Sequence, residues 1–144
     1  MKFLGIGYYD PTVYADLSDA ERAKLGERCA PMDEEFRSTD RVRVLASLTD
    51  EERRFLTPGD SGTTITDGPF TEAKEVVGSF FIIEADDLDE AAEVASLHPA
   101  ARIGKALGWK IELRPIAIYG TSEDGSEWAV EGLEDTGDDE PKSD

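Results

Sequence analysis

Two alternations of apolar and polar residues organise the first third of this chain, one with the period of a strand and one with that of a helix. In Arg41–Leu48, Val42, Val44, Ala46 and Leu48 share one parity against Arg41, Arg43, Leu45 and Ser47. A period of two is that of a strand with one buried face. Leu25, Cys29, Met32 and Phe36 recur at intervals of four, three and four, which stacks them on one side of a helix. Ser18 and Glu21 have capping-box spacing at its start, each able to satisfy an orphan amide of the first turn. Pro31 lacks an amide donor and crowds the preceding turn, which predicts a kink or two abutting helices. Cys29 reads as a small buried hydrophobe: Arg28 is its one basic neighbour, and no histidine stands near it in sequence to activate a thiolate. Ahead of the helix, Lys2–Tyr9 is rich in β-formers and bounded by Asp10-Pro11, so the chain opens on a strand.

The second half repeats this order. Val76–Glu84 is apolar on both parities, the mark of a central strand covered on two faces. Asp87 and Glu90 have N-cap spacing, and Leu88, Ala91, Ala92 and Ala95 are expected to line the buried side of the helix that follows. Pro99 is expected to stop that helix at His98. A last strand is expected over Trp109–Tyr119, with Pro115 favouring a sheet edge or a bulge. Between the halves, "DEERRFL" reads as a helical turn or the start of a strand. "PGDSG" reads as a turn, and "TTIT" as a short strand. The sum is β-α-β, a connection, and β-α-β. That is a ferredoxin-like split βαβ sandwich of the α+β class with both helices on one face. Two helices cannot cover the other face, so a homodimer packed sheet to sheet is expected.

Length and charge narrow the function. A chain of 144 residues, 39% hydrophobic, buries one modest core, here assigned to residues 1–119. Residues 120–144 hold 10 acidic residues and one lysine, half of the net charge of −18, and read as a largely disordered acidic tail. Within it, Trp128, Val130 and Leu133 of "EWAVEGL" can dock as a short element. The acidic balance excludes direct nucleic-acid binding, since a polyanion would be repelled. No run of about 18 apolar residues is present to span a membrane, the N-terminus reads as a strand rather than a signal peptide, and the single cysteine fits a reducing compartment, so a cytoplasmic protein is expected. One histidine and one distant cysteine make no metal site, and nothing calls for a cofactor.

"TDGPFTEAKEVVGSFFIIEADDLDEAAEVA", followed by "HPAAR" and "IELRP", resembles the DGPF-motif proteins of the YCII-related superfamily, over roughly Met1–Ile118. The resemblance implies a ferredoxin-like fold that forms a dimeric α+β barrel. It also implies gene neighbourhoods with extracytoplasmic-function sigma factors, hence a regulatory protein partner as an alternative to enzymatic work. A few enzymes of the wider superfamily act on small cyclic or halogenated organic acids, with a His and Asp pair proposed as acid and base. The first helix here carries no histidine, unlike that of shorter relatives, so His98 with Asp67 is the substitute pair. His98 titrates near neutrality when unperturbed, at about 6.5; as a helix-end residue it can equally complement the helix dipole. Asp67-Gly68-Pro69 is a turn first, though Asp67 can also face a cleft. Glu72 and Lys74 form the charged part of the motif. Arg114 is a candidate clamp for a substrate carboxylate, and Tyr8 and Tyr9 are candidate aromatic walls around a small-molecule ligand.

Overall fold

A computed structural model describes residues 1–49, 52–67 and 74–132. Strand β1 (Lys2–Tyr9) leads through a short helix α1 (Pro11–Ala15) to helix α2 (Asp19–Arg37), and β2 (Val42–Ser47) follows. After the hairpin β3 (Phe55–Gly59) and β4 (Gly62–Thr66) come β5 (Val76–Glu84), α3 (Leu88–Ala95), α4 (Pro99–Arg102) and β6 (Lys110–Pro115). A second hairpin, β7 (Ile118–Thr121) and β8 (Ala129–Gly132), completes the described chain. The main sheet has the order β2-β5-β1-β6 with every neighbour antiparallel. Taking β1, β2, β5 and β6 as its four strands, this is the ferredoxin-like arrangement of two interleaved βαβ halves, an α+β fold.

Sheet register decides which side chains face the helices. Phe3, Gly5 and Gly7 of β1 stand beside Ile83, Phe81 and Ser79 of β5 and Pro115, Leu113 and Ile111 of β6. Phe3, Phe36, Phe81, Ile83, Ala85, Ala91 and Ala95 form the buried cluster between this face and the helices. Gly5 permits the tightest approach: a Cβ there would fall 2.1 Å from the Phe81 ring, which therefore lies across β1. The opposite face presents Leu4, Ile6, Phe80 and Ile82, all half-buried, with no helix of the described chain above them.

Several local expectations change. Helix α2 runs unbroken through Pro31. Both Pro31 and Glu27, whose carbonyl loses its partner, are exposed, so water can satisfy that group. In β2 a bulge between Val42 and Val44 switches parity: Val42 joins the core while Val44 and Ala46 turn to the open face. On α3 the buried stripe is Ala91, Val94 and Ala95; Leu88, in the first turn, is 49% exposed. Strand β6 ends at Pro115 on the sheet edge, and residues 118–121 leave the sheet for the second hairpin. That hairpin occupies the start of the stretch that composition marks as an acidic tail. Residues 133–144, Leu133 included, lie outside the described residues, as do Gly68, Pro69 and Glu72 of the motif and the first two residues of "DEERRFL".

Candidate functional site

The helix-facing side of the sheet ends in small residues on three neighbouring strands. On β1 it runs Phe3, Gly5, Gly7; on β5, Ile83, Phe81, Ser79; on β2, Val42, Leu45, Ser47. Where large residues run out, α2 roofs a cavity of about 460 Å³. Its lining includes Gly7, Tyr9 and Ser79 from the sheet, Cys29, Asp33 and Arg37 from α2, His98 from α4, and Tyr14 and Trp109 from the mouth. Tyr9 and Tyr14 meet edge to face at 5.8 Å. Tyr14 is placed by α1, whose N-cap Asp10 accepts from the Thr12 and Val13 amides and the Thr12 hydroxyl. Those bonds, the hydroxyl first, hold the Asp10 carboxyl below its ordinary range. Gly104, at φ +81°, lets the Trp109 ring lie against the backbone, where a Cβ would come within 2.4 Å.

His98 is the best-defined group in the cavity. The residue does not end α3, whose C-cap is Ser96; it is the N-cap of α4, with Pro99 at the first helical position. Proline suits that place because the amide it lacks would have had no helical partner. The Ala100 amide donates to His98 Nδ1 at 3.0 Å. That bond assigns the neutral tautomer: Nδ1 bears the lone pair and Nε2 the proton. The ring stacks on Phe81 at 5.2 Å and meets Phe36 edge-on at 5.3 Å. Burial between two phenyl rings lowers its pKa, and the Asp33 charge opposes that shift. Among the described residues no buried side-chain nitrogen or oxygen lacks a hydrogen-bond partner. Since no described group bonds Nε2, this atom reaches the cavity.

Asp33 and Arg37 lie one and two turns beyond Cys29 on the same stripe of α2 and supply the charge. The Arg37 Nε–H donates to the Asp33 carbonyl at 3.3 Å. No carboxylate among the described residues pairs with the Arg37 guanidinium. Burial, then the Asp33 charge, pushes the Cys29 thiol up, so it is no ready nucleophile.

The other sequence candidates stand elsewhere. Asp67, just past β4, is outside the cavity lining; its carboxylate is 79% exposed and lies 3.4 Å from Arg54. The substitute pair of His98 with Asp67 is therefore not brought together, and Asp33 is the carboxylate that shares the cavity with His98. Arg114 pairs with Leu4 across β1 and β6 and occupies the open face of the sheet. Tyr8 touches the cavity, but its hydroxyl donates to Glu112 at 2.7 Å, which raises its pKa and engages its polar end. Asp33 and Arg37 had a signal in the sequence, since polar groups at positions 29 + 4 and 29 + 8 fall beside the apolar row of α2. Among the described residues no cluster of His, Cys, Asp or Glu is placed to hold a metal ion, and no helix is long and apolar enough to cross a membrane.

The sequence profile of the YCII-related domain matches residues 1–111. The chain is similar to an uncharacterized protein of Rhizobium meliloti (strain 1021), at 26% identity over 124 residues, which cover 85% of this chain and 98% of the relative. Among solved structures it is similar to 5-chloro-2-hydroxyhydroquinone dehydrochlorinase from Burkholderia phenoliruptrix AC1100, in complex with 2,5-dihydroxybenzoquinone. That match has a TM-score of 0.42 and 17% identity over 81% of this chain and 93% of the other.

Proposed function

This chain belongs to the YCII-related family, and from that premise we propose that its cavity binds a small organic anion and moves a proton on it. The observation that carries this reading is the unpartnered edge of His98 at the cavity, with Nδ1 fixed by Ala100. A neutral imidazole held this way donates from Nε2, and it does so to a carbonyl or oxyanion oxygen of a ligand. It is poorly suited to be the base itself, because taking a proton at Nδ1 would sacrifice the cap of α4. Asp33 takes the role first sought in Asp67: its carboxylate accepts the proton as His98 steadies the charge left on the substrate oxygen. Arg37 takes the role first sought in Arg114, orienting a substrate carboxylate from the cavity wall.

A thermal-shift screen of small keto and hydroxy acids tests this, read with His98→Ala and Asp33→Asn. A ligand that raises the melting temperature of the wild type should lose that effect in His98→Ala and still bind Asp33→Asn without turnover. Nitrogen chemical shifts of His98 showing the Nδ1-protonated tautomer, or hits indifferent to His98→Ala, would remove the role.

The same reading includes the dimer. Leu4, Ile6, Val44, Phe80 and Ile82 make an apolar stretch on the open sheet face. A second copy packed sheet to sheet would cover it, and a monomeric mass in solution at tens of micromolar would count against it.

A further inference from the structure

The β7–β8 hairpin lies beyond the residues that match the family, and its two faces differ. Tyr119 and Glu131 are cross-strand partners on one face. Both hold Lys2: its ammonium pairs with Glu131 and lies 4.7 Å from the Tyr119 ring centroid. Lys2 has the strand parity of Leu4 and Ile6, so the hairpin is fastened at the open face of the sheet. Ile118, Trp128 and Val130 lie on the other face, 72%, 64% and 65% exposed, closing over Gly120. An isolated two-stranded hairpin is marginal in water, and a face bearing an exposed tryptophan and two β-branched residues calls for cover.

Charge indicates what covers it. The loop Ser122–Glu127 carries Glu123, Asp124 and Glu127. Asp124 is used within its own turn, accepting from Ser126. Glu123 and Glu127 pair with no cation among the described residues, and Arg114, on the open face, pairs with no carboxylate among them. On a chain of net charge −18, an unpaired arginine beside an apolar sheet is a specific complement to an acidic loop beside an apolar hairpin face. The hairpin is fastened through Lys2 at the sheet face that carries Arg114, so a two-fold axis can satisfy both features reciprocally.

We propose that the β7–β8 hairpin is a clasp for a second copy of this chain, with Trp128 as its apolar anchor and its acidic loop on Arg114 of the other copy. This rests on the sheet-to-sheet dimer of the preceding reading and adds an element that the family-matched residues lack. Sedimentation equilibrium of the full chain tests it. The wild type should be a dimer, and Trp128→Glu, at an exposed position that leaves the fold intact, should raise the dissociation constant at least tenfold, as loss of an anchor residue does. Arg114→Glu should also weaken association, and adding Glu127→Lys to it should restore it. A dissociation constant that neither Trp128→Glu nor Arg114→Glu changes overturns the clasp and leaves the sheet contact standing. A monomeric wild type overturns both.

Discussion

Two rows of side chains on α2 lie over the same sheet in different surroundings. At its C-terminal end Phe36 is fully buried against Phe81, with Phe3, Ile83 and two alanines of α3 around it. Two turns earlier Cys29 is only half-buried and looks across a cavity at Gly7 and Ser79. One helix thus carries core at Phe36 and, along the row Cys29, Asp33 and Arg37, the wall of a cavity. The difference arises from residue size on three strands and not from any break in the helix. Dense packing at Phe36 fixes the helix, so that the polar groups of the neighbouring row are held at the cavity.

Removing the dense end should have the largest effect. Phe81→Ala deletes the ring that contacts both Phe36 and His98 and should cost about 3–5 kcal/mol in urea unfolding. A loss below about 1 kcal/mol would mean that this end is no better packed than the other. Next comes the cap at the opposite terminus. Phe36 is the one fully buried residue of α2, so its N-terminal half depends on local bonds. The Ser18 hydroxyl accepts from the Glu21 amide and the Glu21 carboxylate from the Ser18 amide. Ser18→Ala should cost about 1 kcal/mol, with faster amide exchange confined to the first turns. Uniformly faster exchange along α2 would instead show that the two halves are energetically one.

The pH dependence should be smaller and sits at the junction of the two ends. His98 has its pKa lowered on folding, so below about 6.5 the unfolded chain binds the proton more readily than the folded one. Stability is then full above that pH and declines as pH falls from it toward the depressed folded value, above the range where Glu84 and Glu21, also lowered, begin to contribute. His98→Gln should flatten this part of the profile. Asp33→Asn should extend the decline to lower pH, because it removes the charge that partly restores the proton. A profile unchanged by either variant would place His98 in water and not between Phe36 and Phe81.

Sequence periodicity carried the architecture well. The capping spacings at Ser18 and Asp87, the apolar run of β5 and the order of elements each reflect local physics, and each reappears in the fold. It carried the site less well, for reasons that particular residues make plain. His98-Pro99 can end one helix or begin another, and the choice depends on Ala100 reaching Nδ1, which no spacing reports. Asp67 and Arg114 have suitable chemistry, but strand register sends Arg114 to the open face, and β4 leaves the main sheet with Asp67 at its end. The signal of Asp33 and Arg37, a polar row beside the apolar one, was weak for the opposite reason. On a helix so rich in charge they look solvated, and only the small residues Gly7, Ser79 and Ser47 on three strands that pair across the sheet turn their stripe into a cavity wall.

The smallest expected change in stability is the sharpest test of the comparison. Cys29→Leu adds volume to the helix stripe that faces the cavity. At the dense end such an insertion would force strained rotamers and cost about 1–3 kcal/mol. At the hollow end there is space for it, and the added apolar contact should keep the change within about 1 kcal/mol, of either sign. Ligand capacity should respond differently, because the new side chain would take up part of the cavity that Cys29 lines. Any small acid that stabilises the wild type should lose most of its effect in Cys29→Leu while the unfolding midpoint of the free protein barely moves. A strongly destabilised variant would show that the space is filled by the protein's own side chains in solution. A stable variant that binds as before would move the ligand elsewhere and leave His98 as a buried cap alone.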